Sequence, residues 1–147
     1  MTKSILCFGD SITWGYNPKD GTRFPPEDRW PRALEAALQG RAHVIEEALS
    51  GRTIATDDPS RPYRDGMAMV RAVSASQVGT GSSAPKLVLI ATPPLGSLSS
   101  EMALMYSGGQ GTSRGLSATY RTVADSFGTA FFDASEVVKV SAVDGVH

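Results

Sequence analysis

The sequence contains a single cysteine and no long apolar run. One cysteine, Cys7, excludes an internal disulfide and a zinc site built on cysteine ligands. Because its neighbours are apolar, we expect Cys7 to be a buried, inert thiol. No apolar run approaches the roughly 20 residues that a membrane-spanning helix needs. The short run after Lys3 ends on charge, unlike the core of a signal peptide, so a cytoplasmic protein without a membrane partner is expected.

Charge of either sign is also not in excess. The chain has 14 Lys and Arg against 15 Asp and Glu, which gives a net charge of −1. Such a balance excludes the basic surface with which proteins bind nucleic acids. A length of 147 residues with 41% hydrophobic residues fits a single globular domain over residues 1–147.

Apolar runs alternate with amphipathic segments along the chain. Strands are predicted at 4–8, in 43–53 where the strand runs into a Ser-Gly turn, at 86–95 where two prolines end it, and at 130–135; the first is expected to be buried on both faces. A helix is predicted at 29–39, capped by Asp28 and followed by Gly40, with an apolar stripe of Trp30, Ala33, Leu34, Ala37 and Leu38. A short helix is predicted near 67–73. A third helix, which ends before Gly128, is predicted from the helical spacing of Leu116, Tyr120, Val123 and Phe127. The segments 17–28, 54–66, 77–85 and 96–112 have the composition of loops. The alternation predicts an α/β fold with a parallel sheet covered by helices on both faces.

Three polar motifs follow predicted strands, where parallel sheets form their sites. They are Gly-Asp-Ser at 9–11, Ser-Gly-Arg-Thr at 50–53 and Asp-Gly-Val-His at 144–147. A serine nucleophile needs a base and an acid that orients the base. Of the two histidines, His43 opens a strand and is assigned a structural role. His147 lies three residues after Asp144, a spacing at which the carboxylate reaches one ring nitrogen on a tight turn.

An oxyanion also needs hydrogen-bond donors. Ser11 can offer its own backbone N–H if it begins a helical turn, and Gly51 is a second candidate because glycine permits close approach. Ordinary alternatives stay open: Gly51 as a plain turn residue, Asp10 as a helix cap, and the Asp144–His147 segment as a solvated tail.

Six blocks of the sequence, in order, resemble the SGNH (GDSL-type) hydrolases, in their arylesterase and acyltransferase branch. The blocks are FGDSITWG at 8–15, DRWP at 28–31, VIEEALSGRT at 44–53, PKLVLIATPPL at 85–95, FFDASEVV at 131–138 and DGVH at 144–147. Ile12 stands where the family usually has leucine. The resemblance implies the three-layer, flavodoxin-like SGNH hydrolase fold.

The resemblance also implies roles for individual residues. Ser11 matches the nucleophile, Asp144 the orienting acid and His147 the general base. Gly51 matches an oxyanion donor beside the backbone N–H of Ser11. The substrate pocket is assigned to Asp10, Trp14 and Tyr16, with core packing as the alternative for Trp14.

The implied activity is hydrolysis of small acetyl and aryl esters through an acyl-enzyme, with acyl transfer to alcohols in some members. The implied partner is a small-molecule ester, the protein is expected to be a homo-oligomer, and neither a metal nor an organic cofactor is implied. The alternative is a non-catalytic domain that binds a small ligand or another subunit. A nucleotide-binding module is disfavoured, because the glycines at 108, 109 and 111 follow no strand.

The sequence departs from the family's pattern in two places. A central strand ending in Gly-x-Asn-Asp, whose asparagine is a third oxyanion donor, is missing near Gln77–Val78, and the family's final helix after His147 is missing too. The single asparagine is Asn17. Either the printed sequence omits segments that the natural protein has, or the protein lacks them. In the second case we expect the first strand to lose its mid-sheet neighbour and the esterase to be weak.

Overall fold

The computed structural model describes residues 3–53 and 86–147. The chain divides into two compact units, Met1–Val78 and Gly79–His147. The loop, helix and linker predicted within residues 54–85 and the proposed deletion at Gln77–Val78 lie outside the described residues. A single domain over residues 1–147 stays a prediction.

The first unit contains a parallel pair of strands. Its elements are β1 (Lys3–Gly9), α1 (Ser11–Trp14), a 3₁₀ turn (Pro26–Asp28), α2 (Trp30–Leu38) and β2 (Ala42–Ala48). The two strands pair from Lys3 opposite Ala42 to Gly9 opposite Ala48. Because the strands are parallel and their last residues are paired, the segments that leave them start from the same end of the sheet.

One face of this strand pair is buried and the other is partly exposed. Cys7 and Val44 are buried, whereas Leu6 and Ile45 are 45% and 44% exposed. The prediction that the first strand is buried on both faces is therefore wrong, because an apolar run indicates burial without saying how many faces are covered. The prediction of a buried Cys7 is confirmed. Burial raises the pKa of its thiol, and the nearby Glu46 carboxylate raises it further.

Helix α2 differs from its prediction in its cap and its buried face. Its N-cap is Arg29, whose side chain makes no capping bond, while Asp28 ends the preceding 3₁₀ turn. The predicted stripe is largely exposed at Trp30, Ala33 and Ala37, and the buried residue is Pro31. Proline suits the first turn of a helix because its missing N–H is not needed there.

The buried face of α2 differs from the predicted apolar stripe, because the helix presents polar side chains that hydrogen-bond to the outer edge of β2. The Val44 N–H donates to Glu35 Oε1 at 2.8 Å, and Arg32 Nη2 donates to the Val44 carbonyl at 3.2 Å. The hydrogen bond from Val44 lowers the pKa of Glu35. Edge groups satisfied in this way are not available to another strand.

The second unit contains another parallel strand pair. Its elements are β3 (Val88–Ala91), α3 (Ser100–Met105), α4 (Gly109–Arg114), α5 (Leu116–Phe127), β4 (Ala130–Asp133) and a 3₁₀ turn (Ala134–Glu136). The strands pair from Val88 opposite Ala130 to Ala91 opposite Asp133. All four predicted strands are therefore present, the last three with fewer residues than predicted.

Helices α3 and α4 occupy a segment that was predicted to be a loop, and that prediction is wrong. Ser99 caps α3 by accepting a hydrogen bond from the Met102 N–H at 3.3 Å, and Met102 is buried. Each helix has six residues, which is too few to show an apolar repeat in a segment rich in serine and glycine.

Helix α5 is confirmed, including its end at Gly128, where φ is 61°. Its buried face is only partly as predicted. Leu116 and Tyr120 are half-buried, but Phe127 is 73% exposed and Ala124 is buried. The inward stripe therefore follows a spacing of four residues.

Within the described residues, β1 pairs only with β2 and β3 only with β4, so the four strands form two separate sheets. The parallel pairing predicted from the alternation of strands and helices is confirmed in both.

Candidate active site

Ser11 is the first residue of α1, directly after β1. The interpretation of Asp10 as a helix cap is confirmed: its Oδ1 accepts from the Ile12 N–H at 3.0 Å, and its carbonyl accepts from the Trp14 N–H at 2.8 Å. Backbone N–H groups in the first turn of a helix have no acceptor within the helix, and a partial positive charge collects there. Ser11 thus begins a helical turn, which is the condition under which its N–H is expected to serve as an oxyanion donor, and that role stays a prediction.

Gly9 allows this turn to fold closely onto α1. A Cβ at Gly9 would lie 2.0 Å from Thr13 Oγ1 and 2.6 Å from Thr13 Cβ. Thr13 is 7% exposed, so it has little room to move away. Gly15 ends the helix with φ at 86° and donates its N–H to the Ser11 carbonyl at 3.0 Å. Glycines on both sides thus define the turn that presents Ser11.

Gly51 lies in a turn that is bonded to the end of β1. The Leu49 N–H donates to the Gly9 carbonyl at 3.1 Å, and the Arg52 N–H donates to the Leu49 carbonyl at 3.0 Å. Gly51 has φ of 77°, in the left-handed region that favours glycine. Both the plain-turn interpretation and a donor role are compatible with this conformation. The Gly51 turn is therefore hydrogen-bonded to Gly9, which lies two residues before Ser11.

Arg52 adds a second connection, which the sequence analysis did not assign. Its Nη1 donates to the carbonyls of Gly9 and Glu47, both at 2.8 Å. The guanidinium carbon lies 4.0 Å from the centroid of the Phe8 ring. The available signal in the sequence was its place next to Gly51 in the Ser-Gly-Arg-Thr motif.

The two aromatic pocket candidates follow Ser11 closely. Trp14 and Tyr16 are both half-buried. Arg23 donates from Nε to the Trp14 carbonyl at 2.7 Å, and its guanidinium carbon lies 5.2 Å from the centroid of the Trp14 ring. Tyr16 forms an antiparallel bridge with Arg23. Arg23 thus fixes the segment that carries both aromatic residues, whose pocket role stays a prediction.

A buried carboxylate anchors this segment to β2, and sequence reasoning missed it. Glu46 has a side chain that is 8% exposed and contacts three arginines. Its Oε2 accepts from Arg23 at 2.8 Å and from Arg29 at 2.5 Å, and its Oε1 accepts from Arg32 at 2.6 Å. The four residues are separated by up to 23 positions, and no local motif connects them.

Asp144 and His147 are in direct contact. Asp144 Oδ2 lies 2.7 Å from His147 Nδ1, and the side chains are 4% and 9% exposed. Asp144 Oδ1 also accepts from the N–H groups of Val146 and His147 at 2.9 and 3.1 Å. The burial of the pair argues against a solvated tail.

The surroundings of Asp144 fix the proton on the imidazole. Burial acts to raise the pKa of Asp144, but the hydrogen bonds from the His147 ring and from the backbone of Val146 and His147 outweigh it and lower the pKa. An ionised carboxylate only accepts hydrogen bonds, so Nδ1 of His147 carries the proton. The nitrogen that can act as a base is therefore Nε2.

The turn of Asp144 packs against the loop that follows β3. The Gly96 N–H donates to the Gly145 carbonyl at 2.9 Å, and the Ser99 N–H donates to the Asp144 carbonyl at 3.2 Å. Gly145 has φ of 74°, and a Cβ there would lie 2.4 Å from the Ser97 carbonyl oxygen. Only glycine fits this approach, which places Asp144 and His147 in one rigid turn.

The predicted site residues therefore fall into two groups. Ser11 and Gly51 belong to the first unit, and Asp144 and His147 belong to the second. His43, which was assigned a structural role, has a side chain that is 65% exposed and contacts Glu35 at 2.9 Å. The catalytic and pocket roles of these residues stay predictions.

Within residues 3–53 and 86–147, no group of three or more His, Cys, Asp or Glu side chains could hold a metal ion. In the same part of the chain, no helix has the length and apolarity needed to cross a bilayer.

Comparison with known proteins identifies relatives over most of the chain. The family model of GDSL-like lipases and acylhydrolases matches residues 5–93. A carbohydrate acetylesterase family member from Sinorhizobium meliloti is 30% identical, with a TM-score of 0.85 over 99% of this chain and 89% of that chain. The native aryl esterase of M. smegmatis is 30% identical, with a TM-score of 0.86 over 99% of this chain and 90% of that chain. The comparison with curated proteins gives no match.

These similarities confirm the predicted SGNH hydrolase fold. The residues that the family model matches include the turns of Ser11 and Gly51. Lipases and acylhydrolases are enzymes that hydrolyse carboxylic esters, and ester hydrolysis is therefore supported at the level of the family. The chain belongs to the family of GDSL-like lipases and acylhydrolases.

Proposed function

We propose that the protein is a serine esterase that hydrolyses small acyl esters through an acyl-enzyme on Ser11. The proposal depends on the buried contact between Asp144 Oδ2 and His147 Nδ1 at 2.7 Å, because this contact fixes the tautomer of a general base. The similarity to an acetylesterase and an aryl esterase also supports it, since it covers 99% of the chain.

In the proposed reaction, Ser11 Oγ bonds to the ester carbonyl carbon while its proton passes to His147 Nε2. The carbonyl oxygen becomes negative and accepts hydrogen bonds from the N–H groups of Ser11 and Gly51. When the carbonyl re-forms, the bond to the leaving oxygen breaks and that oxygen takes the proton from Nε2. Asp144 stabilises the imidazolium between the two transfers. Water then repeats both steps on the acyl group and releases the acid.

The proposed substrates are acetyl and aryl esters with small acyl groups, held near Asp10, Trp14 and Tyr16. An alcohol that replaces water in the second half-reaction would give acyl transfer. A homo-oligomer and a cytoplasmic location are part of the same proposal.

One observation favours a second candidate, a non-catalytic domain that binds a small ligand or a subunit. The family's Gly-x-Asn-Asp block is missing from the sequence, and Asn17 lies in a turn where its Oδ1 accepts from the Lys19 N–H at 3.1 Å. Loss of one oxyanion donor lowers turnover by about 10²–10³. We therefore expect a weak esterase, and the experiment must detect slow turnover.

The test is hydrolysis of nitrophenyl acetate by the wild type, Ser11→Ala and Ser4→Ala. Ser4 is exposed on β1, the strand that precedes Ser11, so its substitution controls for the loss of a hydroxyl group. We expect Ser4→Ala to match the wild type and Ser11→Ala to fall to the uncatalysed rate. A fluorophosphonate should add to Ser11 in the wild type, as seen by peptide mass. Turnover that survives Ser11→Ala would refute the nucleophile, and a wild type without adduct or turnover would favour the non-catalytic domain.

A further inference from the structure

We propose that Arg52 is a positioning residue that holds the backbone donors of Ser11 and Gly51 at the separation an oxyanion requires. The inference rests on the proposed esterase function and assigns to Arg52 no contact with the substrate. It concerns the first unit alone, in which both donor turns and the Arg52 side chain are described.

First, one carbonyl oxygen connects the two donor turns. The Gly9 carbonyl accepts from the Leu49 N–H at 3.1 Å and from Arg52 Nη1 at 2.8 Å. Gly9 lies two residues before Ser11, and Leu49 and Arg52 flank the Ser50–Gly51 turn. If Arg52 were removed, only the Leu49 N–H of these two donors would still connect the Gly51 turn to the end of β1.

The second step is that Arg52 also spans the ends of both strands. The same Nη1 donates to the Glu47 carbonyl at 2.8 Å, and Nη2 contacts Glu47 Oε1 at 3.1 Å. The guanidinium is planar and presents several N–H groups in fixed directions, which lets one group satisfy acceptors on two strands. A lysine ammonium has the charge but not this geometry. Arginine can therefore hold the C-terminal ends of strands β1 and β2 together.

The third step is that stability alone is a poor explanation of this arrangement. The Arg52 side chain is 9% exposed, and its Nε is buried without a hydrogen-bond partner in the described part of the chain. A buried cation with an unsatisfied N–H is unfavourable for folding. Among the residues that the structure describes, its carboxylate contact is to Glu47, which is 49% exposed. The cost is explained if Arg52 holds the functional geometry of the two turns.

The fourth step is that donor geometry matters more in this chain than in its family. The asparagine of the Gly-x-Asn-Asp block is missing from the sequence, so the N–H groups of Ser11 and Gly51 are the two oxyanion donors that the resemblance still assigns. Displacement of either donor weakens transition-state stabilisation and leaves ground-state binding largely unchanged.

The experiment compares Arg52→Ala and Arg52→Lys with the wild type, and uses Arg121→Ala as the matched control. Arg121 also stacks on a phenylalanine, with its guanidinium carbon 4.4 Å from the centroid of the Phe131 ring. Active enzyme is counted by complete fluorophosphonate titration, and kcat and KM for nitrophenyl acetate are expressed per titrated site. A purely structural role would reduce the titrated amount and leave kcat per site unchanged.

We expect both Arg52 variants to lose about 10- to 100-fold in kcat per site, because donors are displaced rather than deleted, while KM changes less than about 3-fold. Guanidinium ion at low millimolar concentration should partly restore the kcat per site of Arg52→Ala, leave that of Arg121→Ala unchanged and leave Ser11→Ala inactive. If Arg52→Ala yields too little folded protein, Arg52→Lys alone tests the inference through kcat per site.

Wild-type kcat per site in the Arg52 variants, with Ser11→Ala inactive, would overturn the role of Arg52 and leave the esterase proposal intact. If the wild type shows no turnover, or if its turnover does not depend on Ser11, both the role of Arg52 and the esterase proposal are overturned.

Discussion

Glu46 provides the sharpest test of what holds the first unit together. Its carboxylate is 8% exposed and accepts hydrogen bonds from Arg23, Arg29 and Arg32 at 2.5–2.8 Å. The substitution Glu46→Gln keeps the shape of the side chain, removes its charge and replaces one acceptor oxygen with a donor NH₂ group. We expect the free energy of unfolding to fall by about 2–4 kcal/mol.

The magnitude follows from the contacts. The best arrangement of the glutamine keeps its oxygen where Oε2 lies, facing Arg23 and Arg29, and turns its NH₂ group toward Arg32, donor against donor. A hydrogen bond to a charged group contributes about 1.5–3 kcal/mol, and removal of one partner of a buried pair costs about 3–5 kcal/mol. The side chains of Arg23 and Arg32 are 37% and 30% exposed, so water replaces part of the hydrogen bonding that they lose. The expected loss of stability is therefore smaller than for a fully buried pair.

The assay is urea unfolding followed by tryptophan fluorescence. Both tryptophans of the chain, Trp14 and Trp30, lie in the first unit, so the signal reports on the unit that contains Glu46. With a slope of about 2 kcal/mol per molar urea, the midpoint should fall by about 1–2 M.

The matched control is Glu47→Gln at the next position. The Glu47 side chain is 49% exposed and contacts Arg52 Nη2 at 3.1 Å, so its substitution should cost less than about 1 kcal/mol. Equal midpoints for Glu46→Gln and Glu47→Gln would refute the reasoning.

Two further predictions concern the turns of the candidate site. Gly9→Ala should lower the urea midpoint by the equivalent of about 1–3 kcal/mol, because the new methyl group overlaps Thr13; Gly111→Ala, which meets nothing within 4 Å, is the control, and equal midpoints would contradict the packing argument. The pKa of Asp144 is lowered in the folded state, so its contribution to stability is complete above its unfolded pKa of about 3.9 and is lost as the pH falls through the folded pKa. The wild type should therefore be more stable than Asp144→Asn at pH 7, and this difference should shrink below about pH 4; a difference that stays constant down to pH 3 would contradict it.

The regular elements of the fold were largely predictable from the sequence, and their exact burial was not. The apolar run of β1 and the spacing in α5 predicted those elements because both patterns are local. Sequence did not reveal that Leu6 is exposed, or that α2 presents Glu35 to the edge of β2, because these facts depend on which neighbours are present. The short helix after Ser99 was missed although its capping serine was a usable signal.

The candidate site divides in the same way between local and distant features. The contact of Asp144 with His147 and the capping of α1 by Asp10 occur within three residues, and the sequence predicted both contacts. Arg52 reaches back to Gly9 over 43 positions, and the arginines around Glu46 come from the bridge at Arg23 and from the start of α2. Such contacts depend on tertiary structure, and no spacing in the sequence indicates them.

The turn from Asp144 to His147 is a local structural unit, which we call the cassette, whose candidate catalytic side chains are oriented by short-range hydrogen bonds. The carboxylate, the imidazole and the backbone amides that donate to the carboxylate belong to four consecutive residues. Ser141 closes the turn by accepting from the Gly145 N–H at 2.9 Å and donating to the His147 carbonyl. The attachments of this cassette to the neighbouring loop run through the backbone N–H groups of Gly96 and Ser99, which most side-chain replacements preserve. Divergence of the surrounding scaffold would therefore change where the imidazole is aimed and leave its protonation pattern unaltered.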